Sequence, residues 1–129
     1  MKTIKIDLAG KDYYLAFTGA AKYKLEDLCG EQSILELTQP DTRESFGYLC
    51  KAVAILTEQG ELARRFMGYD KSTYLSAEAI EAILLPKDIL IVKTGLAHAI
   101  LLGYGREIED EKKEVDLVLQ ELEKKTAIG

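Results

Sequence analysis

The feature that most constrains the fold is an apolar stripe in the middle of the chain. It consists of Phe46, Leu49, Cys50, Val53 and Leu56. The spacings of three, one, three and three residues place these side chains on one face of an α-helix. Thr42 is a suitable N-cap and Gly60 a suitable stop at the other end. We therefore predict an amphipathic helix over 43–59 that buries one face against the rest of the chain.

The N-terminal segment has a different periodicity. Between residues 3 and 8, apolar Ile4, Ile6 and Leu8 alternate with polar residues, which is typical of a half-buried strand. The segment 9–12 supplies a turn, and a second strand is predicted over 13–17. Because two strands alone are marginally stable in water, this hairpin must pack on helices or pair with strands of another chain.

Caps and helix breakers divide the remaining chain into further helices. We predict a helix from Thr18 to about Cys29, a short one from Ser33 to Pro40, one from Ser76 to Leu85, and an apolar one from Asp88 to Leu102. Residues 61–75 have no clear pattern, although one or two more helical turns could precede Gly68. The expected fold class is mainly α with a small N-terminal β-hairpin (α+β), a compact bundle of about five helices.

The last part of the chain differs in composition. Residues 106–125 carry five basic and eight acidic residues, and Ile108, Val115 and Leu122 are seven residues apart, with Leu119 on the same side. We therefore divide the chain into a hairpin and helical core domain, 1–105, and an amphipathic charged tail, 106–129. Docking of this tail on its own domain and docking on a partner remain equally open.

Charge and apolar content exclude several classes of protein. The formal net charge of −5 disfavours a general nucleic-acid binder. Apolar residues 89–102 are interrupted by Lys93 and His98 and are too short to span a bilayer. No basic and apolar leader follows Met1 and nothing else indicates secretion, so we expect the cysteines, Cys29 and Cys50, to be reduced and buried.

No arrangement of residues for catalysis is visible. His98 is flanked on its predicted helix by Thr94, Gly95 and leucines, with no carboxylate to orient it. The two cysteines are too few and too far apart for a structural zinc site, and no glycine-rich phosphate-binding motif is complete. We therefore expect no enzyme activity, no metal and no cofactor.

The remaining features suit binding to another protein. Arg64 and Arg65 stand beside aromatic and apolar side chains, a mixture that could contact single-stranded nucleic acid but fits an acidic groove of a partner or plain solvation at least as well. The hairpin edge could mediate self-association, although its isoleucines could simply face the helices. The candidate partner-binding residues are Ile4, Ile6, Arg64, Arg65, Phe66, Met67, Tyr69, Ile108, Val115, Leu119 and Leu122.

Two segments have a recognisable pattern. The N-terminal hairpin is followed by Phe17-Thr18-Gly19-Ala20-Ala21-Lys22-Tyr23-Lys24-Leu25-Glu26-Asp27-Leu28-Cys29-Gly30, and a later helix starts with Leu75-Ser76-Ala77-Glu78-Ala79-Ile80. On these segments, most of residues 1–105 resembles the tail assembly chaperones of long-tailed bacteriophages and gene transfer agents. The segment 61–75 and the charged tail match no motif of that family.

The resemblance implies a non-enzymatic protein, present in the cytoplasm of the bacterial host and absent from the mature virion. It would bind the tape-measure protein, help to recruit tail-tube subunits, and possess neither membrane nor nucleic-acid partners. A longer frameshifted form is known in many members, and Lys124-Lys125 is compatible with a slippery adenine run. Two alternatives are a structural tail-completion or connector component and a small cellular protein-binding adaptor.

Overall fold

The computed structural model describes residues 2–106, which form a two-stranded hairpin and five α-helices. This confirms the predicted fold class. The tail residues Ile108, Val115, Leu119 and Leu122 lie outside the described residues. The elements are β1 (Ile4–Leu8), β2 (Lys11–Leu15), α1 (Gly19–Cys29), α2 (Ile34–Thr38), α3 (Arg43–Phe66), α4 (Ala77–Ile83), a 3-10 turn (Pro86–Asp88) and α5 (Ile89–Gly103).

The hairpin turns more tightly than the sequence suggested. Only Ala9 and Gly10 form the turn, both with positive φ (53° and 78°), which is the geometry of a type I′ turn. The side chain of Asp7 supports it by accepting a hydrogen bond from the Gly10 amide at 3.1 Å. β2 consequently begins at Lys11, and the side chains of Ile6 and its partner Tyr13 lie in the core.

The predicted N-caps are confirmed for four helices. The hydroxyl oxygens of Thr18, Ser33, Thr42 and Ser76 each accept a hydrogen bond from a backbone amide in the first turn of the following helix, at 3.1–3.2 Å. These bonds satisfy donors that a helix leaves without an internal partner. Local sequence therefore determines where these helices begin.

The predicted end of the central helix at Gly60 is wrong. α3 continues for another six residues to Phe66. At Gly60 the backbone of β2 crosses the helix so closely that a Cβ atom there would overlap the carbonyl group of Tyr14. One turn earlier, the Ala16 amide donates to the carbonyl oxygen of Leu56 at 3.1 Å. Gly60 thus allows a close approach between helix and strand, and the helix does not end there.

Helix α5 packs on the hairpin and α3 to complete the core. A Cβ atom at Gly95 would lie 3.0 Å from Cγ2 of Ile6, so the helix lies close beneath β1. The largest fully buried side chains, among them Leu15, Leu49, Leu56, Ile80 and Leu96, come from the hairpin, α3, α4 and α5. The helices therefore supply the support that an isolated hairpin lacks.

The two cysteines are both free but differ in burial. Cys50 is fully buried, and burial together with the nearby charge of Glu81 raises its pKa to about 12. Cys29 is half-buried, and burial raises its pKa as well. Both thiols are held protonated, but only Cys29 reaches the surface.

We expect iodoacetamide to alkylate Cys29 at least about tenfold faster than Cys50 at pH 8, because the reactive thiolate needs both ionisation and access. Peptide mass spectrometry over time measures the two rates in the folded protein. In 8 M urea the two rates should converge. Equal rates in the folded protein would contradict the buried position of Cys50.

Candidate partner-binding surface

The last turn of α3 carries the basic and aromatic residues that the sequence singled out. Arg64 and Arg65 lie within the helix, which ends at Phe66, and Met67 caps it through its amide. Gly68 follows with φ of 93°, and residues 69–76 form an irregular loop without helix or strand. The predicted cluster is therefore a helix end with its following loop.

A buried carboxylate organises this helix end. The side chain of Glu61 is 3% exposed, and its Oε2 accepts hydrogen bonds at 2.7 Å from Nε of Arg65 and from the amide of Ser72. The same Arg65 donates a second hydrogen bond to the carbonyl oxygen of Ser72 at 2.9 Å. Glu61, Arg64, Arg65 and Ser72 form what we call the Glu61 cluster, which fastens the loop to the helix.

Arg64 connects this cluster to the hairpin. Its guanidinium carbon lies 4.1 Å from the ring centroid of Tyr14 and 4.8 Å from that of Tyr69, and Nη1 is 3.5 Å from Oε1 of Glu61. Cation–π contacts of this kind are favourable when the cation is partly desolvated. Arg64 therefore holds β2, α3 and the loop together, and it shares the negative charge of Glu61 with Arg65.

The electrostatics of the cluster keep Glu61 ionised. Burial by itself would raise the pKa of this carboxyl, but the hydrogen bonds from Ser72 and Arg65 and the charges of Arg65 and Arg64 outweigh it, so the pKa lies below its ordinary value. Because Glu61 offsets one of the two positive charges, this helix end presents less positive charge than two free arginines would.

Apolar side chains around the Glu61 cluster remain in solvent. Phe66 is 94% exposed, and Leu62, one turn earlier on the same side of α3, is also exposed. Met67 and Tyr69 extend the exposed surface into the loop. We call Leu62, Phe66, Met67 and Tyr69 the apolar knob. A large aromatic side chain that projects from an anchored helix end is suited to insertion between apolar side chains of a partner.

The other candidate residues in the hairpin are less exposed. Ile6 is 5% exposed and belongs to the core, and Ile4 is partly buried against it. Contact with a partner at this place would therefore use the backbone edge beside them. His98, which we did not consider catalytic, is half-buried on α5.

A groove between α1, α2 and α5 was not anticipated from the sequence. It has a volume of about 310 Å³, with Phe17, Leu25, Ile34, Ile100 and Tyr104 in its apolar lining. The ion pair between Lys22 and Glu26, at 2.9 Å, lies at its rim. Its lining comes from segments far apart in the chain, so no local pattern indicates it.

The sequence also did not indicate Glu61, Ser72 or Tyr14 as parts of the surface. A signal existed for Glu61, since it stands three and four residues before the two arginines, the spacing of ion pairs on a helix. The prediction that α3 ends at Gly60 concealed it. Tyr14 and Ser72 could not be found from spacing, because they reach the cluster only through tertiary packing.

Two kinds of feature were sought in the described part of the chain. Within residues 2–106, no group of three or more His, Cys, Asp or Glu side chains could hold a metal ion. No helix in the same range is long and apolar enough to cross a membrane.

Comparison with models of known protein families, with curated proteins and with solved structures found no match.

Proposed function

We propose that this protein is a non-enzymatic tail assembly chaperone of a bacteriophage or prophage, which binds the tape-measure protein and helps to recruit tail-tube subunits. The observation that carries the proposal is the apolar knob, in which Phe66 is almost wholly exposed on a helix end anchored by the Glu61 cluster. The resemblance of residues 17–30 and 75–80 to that family adds the identity of the partner.

The knob can supply useful binding free energy. Fully burying a phenylalanine side chain contributes roughly 1.5–3 kcal/mol, and neighbouring Leu62 and Met67 add further apolar area. The Glu61 cluster reduces the conformational entropy that this surface loses on binding, because its loop is already held by Arg65 and Ser72. An exposed apolar stripe of a long helical partner is the surface that such a knob can cover.

The charge of the chain also suits this task. The full chain has a formal net charge of −5, which helps to keep a complex in solution while apolar surfaces are in contact. As a chaperone, the protein would act in the host cytoplasm and leave before the virion is complete. Its binding sites would then serve temporary contacts, and no covalent chemistry is required of them.

Co-expression with a phage tape-measure fragment that is insoluble alone tests the proposal. We expect the wild-type chain to raise the soluble fraction of the fragment several-fold, and Phe66→Ser to lose most of this effect, because truncating a central aromatic contact weakens binding about tenfold or more. Tyr23→Ser is the matched control, since Tyr23 is an exposed aromatic residue on α1.

Three results would contradict the proposal. The wild-type chain could leave the fragment insoluble, or Phe66→Ser and Tyr23→Ser could behave alike. Stoichiometric amounts of the protein in purified virions, measured by mass spectrometry, would instead identify a structural tail component.

A further inference from the structure

The two edges of the hairpin are not equivalent. The carbonyl group of Tyr14 in β2 packs on Gly60, and the amide of Ala16, the residue after β2, donates to the carbonyl oxygen of Leu56. These backbone groups therefore point towards α3. Hydrogen-bonded residues alternate along an antiparallel pair. Since Tyr14 is opposite Lys5, the backbone groups of Lys5 and Asp7 point away from β2 on the other side.

This second edge is open in the described part of the chain. Among residues 2–106, no hydrogen bond reaches the backbone N–H or C=O groups of Lys5 or Asp7. An edge strand with such unpaired groups is a template for another strand. α3 covers the β2 edge, so β1 is where this sheet can be extended.

The charges on the open strand are also incompletely paired. Asp7 lies opposite Asp12 across the hairpin, which places two carboxylates side by side. Lys5 forms an ion pair with Asp12, in which Nζ of Lys5 lies 4.0 Å from Oδ2 of Asp12. No cation within residues 2–106 pairs with Asp7. A positively charged side chain on a strand that pairs with β1 would therefore stabilise the pairing.

Helix α5 also carries an exposed apolar side chain near β1. The buried side of the helix includes Val92 and Leu96. Ile91 stands four residues before Gly95, the residue at which α5 approaches Ile6 of β1, so Ile91 lies on the same side of the helix as this contact. Ile91 is nevertheless 61% exposed. Apolar surface of this kind beside an open strand edge is suited to burial by a chain that pairs with that edge.

We propose that a second copy of this chain covers both features in a two-fold symmetric dimer. The β1 strands of the two copies pair antiparallel, with Ile6 opposite Ile6, and form a continuous four-stranded sheet. Lys5 then lies opposite Asp7 of the second copy, and Asp7 opposite Lys5. The Ile91 side chains of the two α5 helices then become buried beneath the joined sheet.

Charge complementarity selects this register. Residues with outward-pointing backbone groups must pair with one another, so Lys5 can face only odd-numbered residues of the second copy. Shifting the pairing by two residues in one direction places Lys5 opposite Lys5, and in the other direction places Asp7 opposite Asp7. Only the central register opposes unlike charges at both positions and gives Asp7 the cation it lacks within its own hairpin.

Sedimentation velocity of the full chain over a range of concentrations tests the dimer. We expect reversible dimerisation. Lys5→Asp and Asp7→Lys should each raise the dimer dissociation constant about tenfold or more, because each places like charges together twice across the two-fold axis. The double variant Lys5→Asp/Asp7→Lys should restore much of the affinity, since it exchanges the charges and keeps them opposite.

Variants of α5 provide a second readout. Ile91→Asp should weaken the dimer by at least a similar factor, and its exposed position leaves the folded monomer intact. Leu35→Asp is the matched control, because Leu35 is an exposed apolar residue on α2 outside the proposed interface, and it should leave the dimer unchanged. Far-ultraviolet circular dichroism verifies that each variant is folded.

Several outcomes would overturn the proposal. These are a wild-type chain that stays monomeric at several hundred micromolar, a dimer unaffected by the three single variants, and a double variant as weak as its parents. If the chain is monomeric and the cysteine of an Ile91→Cys variant is still protected from alkylation, Ile91 is covered by residues 107–129 and not by a second copy.

Discussion

Replacing Gly60 with alanine is expected to lower the free energy of unfolding by about 3 kcal/mol or more, since overpacking against backbone cannot be relieved by a side-chain rotation. The added Cβ would overlap the carbonyl group of Tyr14, so the whole of β2 would have to move away from α3. The total stability of a domain is typically about 5–15 kcal/mol, so this loss would be a large part of it.

Gly47→Ala is the matched control on the same helix. No atom lies within 4 Å of a Cβ built at Gly47, so alanine there should stabilise α3 by up to about 1 kcal/mol through its helix propensity. Urea unfolding followed by circular dichroism measures both variants. Similar free energies of unfolding for Gly60→Ala and Gly47→Ala would show that β2 does not approach α3 as closely as described.

Glu61→Gln is the second change with a large expected effect. We expect it to destabilise the protein by about 2–3 kcal/mol, because removing one partner of a buried ion pair leaves the others without compensation. The amide keeps the shape of the side chain but loses the charge that Arg65 and Arg64 face. Glu58→Gln, on the same helix, removes a more exposed ion pair with Lys24 and should cost less than about 1 kcal/mol.

The difference in the free energy of unfolding between wild type and Glu61→Gln should depend on pH. The folded protein holds the pKa of Glu61 below the ordinary value of 4.5, so the unfolded chain takes up the proton first as the pH falls. The stability from this charge is therefore complete above the unfolded pKa and is lost as the pH falls through the folded pKa. Urea unfolding at pH 7, 5, 4 and 3 measures this, and a constant difference would contradict it.

The sequence predicted the elements that local chemistry determines. Thr18, Ser33, Thr42 and Ser76 each cap a helix through a bond to a neighbouring amide, and alternation from Ile4 to Leu8 specifies a strand without reference to the rest of the chain. Such features depend on residues a few positions apart. The fold class follows from them.

The features that escaped prediction depend on distant residues. Glycine after an apolar stripe is a common helix stop, and only the crossing of Tyr14 over Gly60 shows that here it permits close packing. The same error separated Glu61 from Arg64 and Arg65, so the two arginines were interpreted as a surface patch. Phe66 and Tyr69 remain candidate partner-binding residues, and their exposure could be known only from the structure.

The unequal edges of the hairpin also limit the size of any assembly it can build. Since α3 occupies the β2 side, whatever strand joins β1 uses the last available position in the sheet. When the joining strand is the β1 strand of a second copy, the pairing occupies the open edges of both copies. No third chain can then be added by the same contact. The hairpin can therefore close a pair but cannot propagate a fibre.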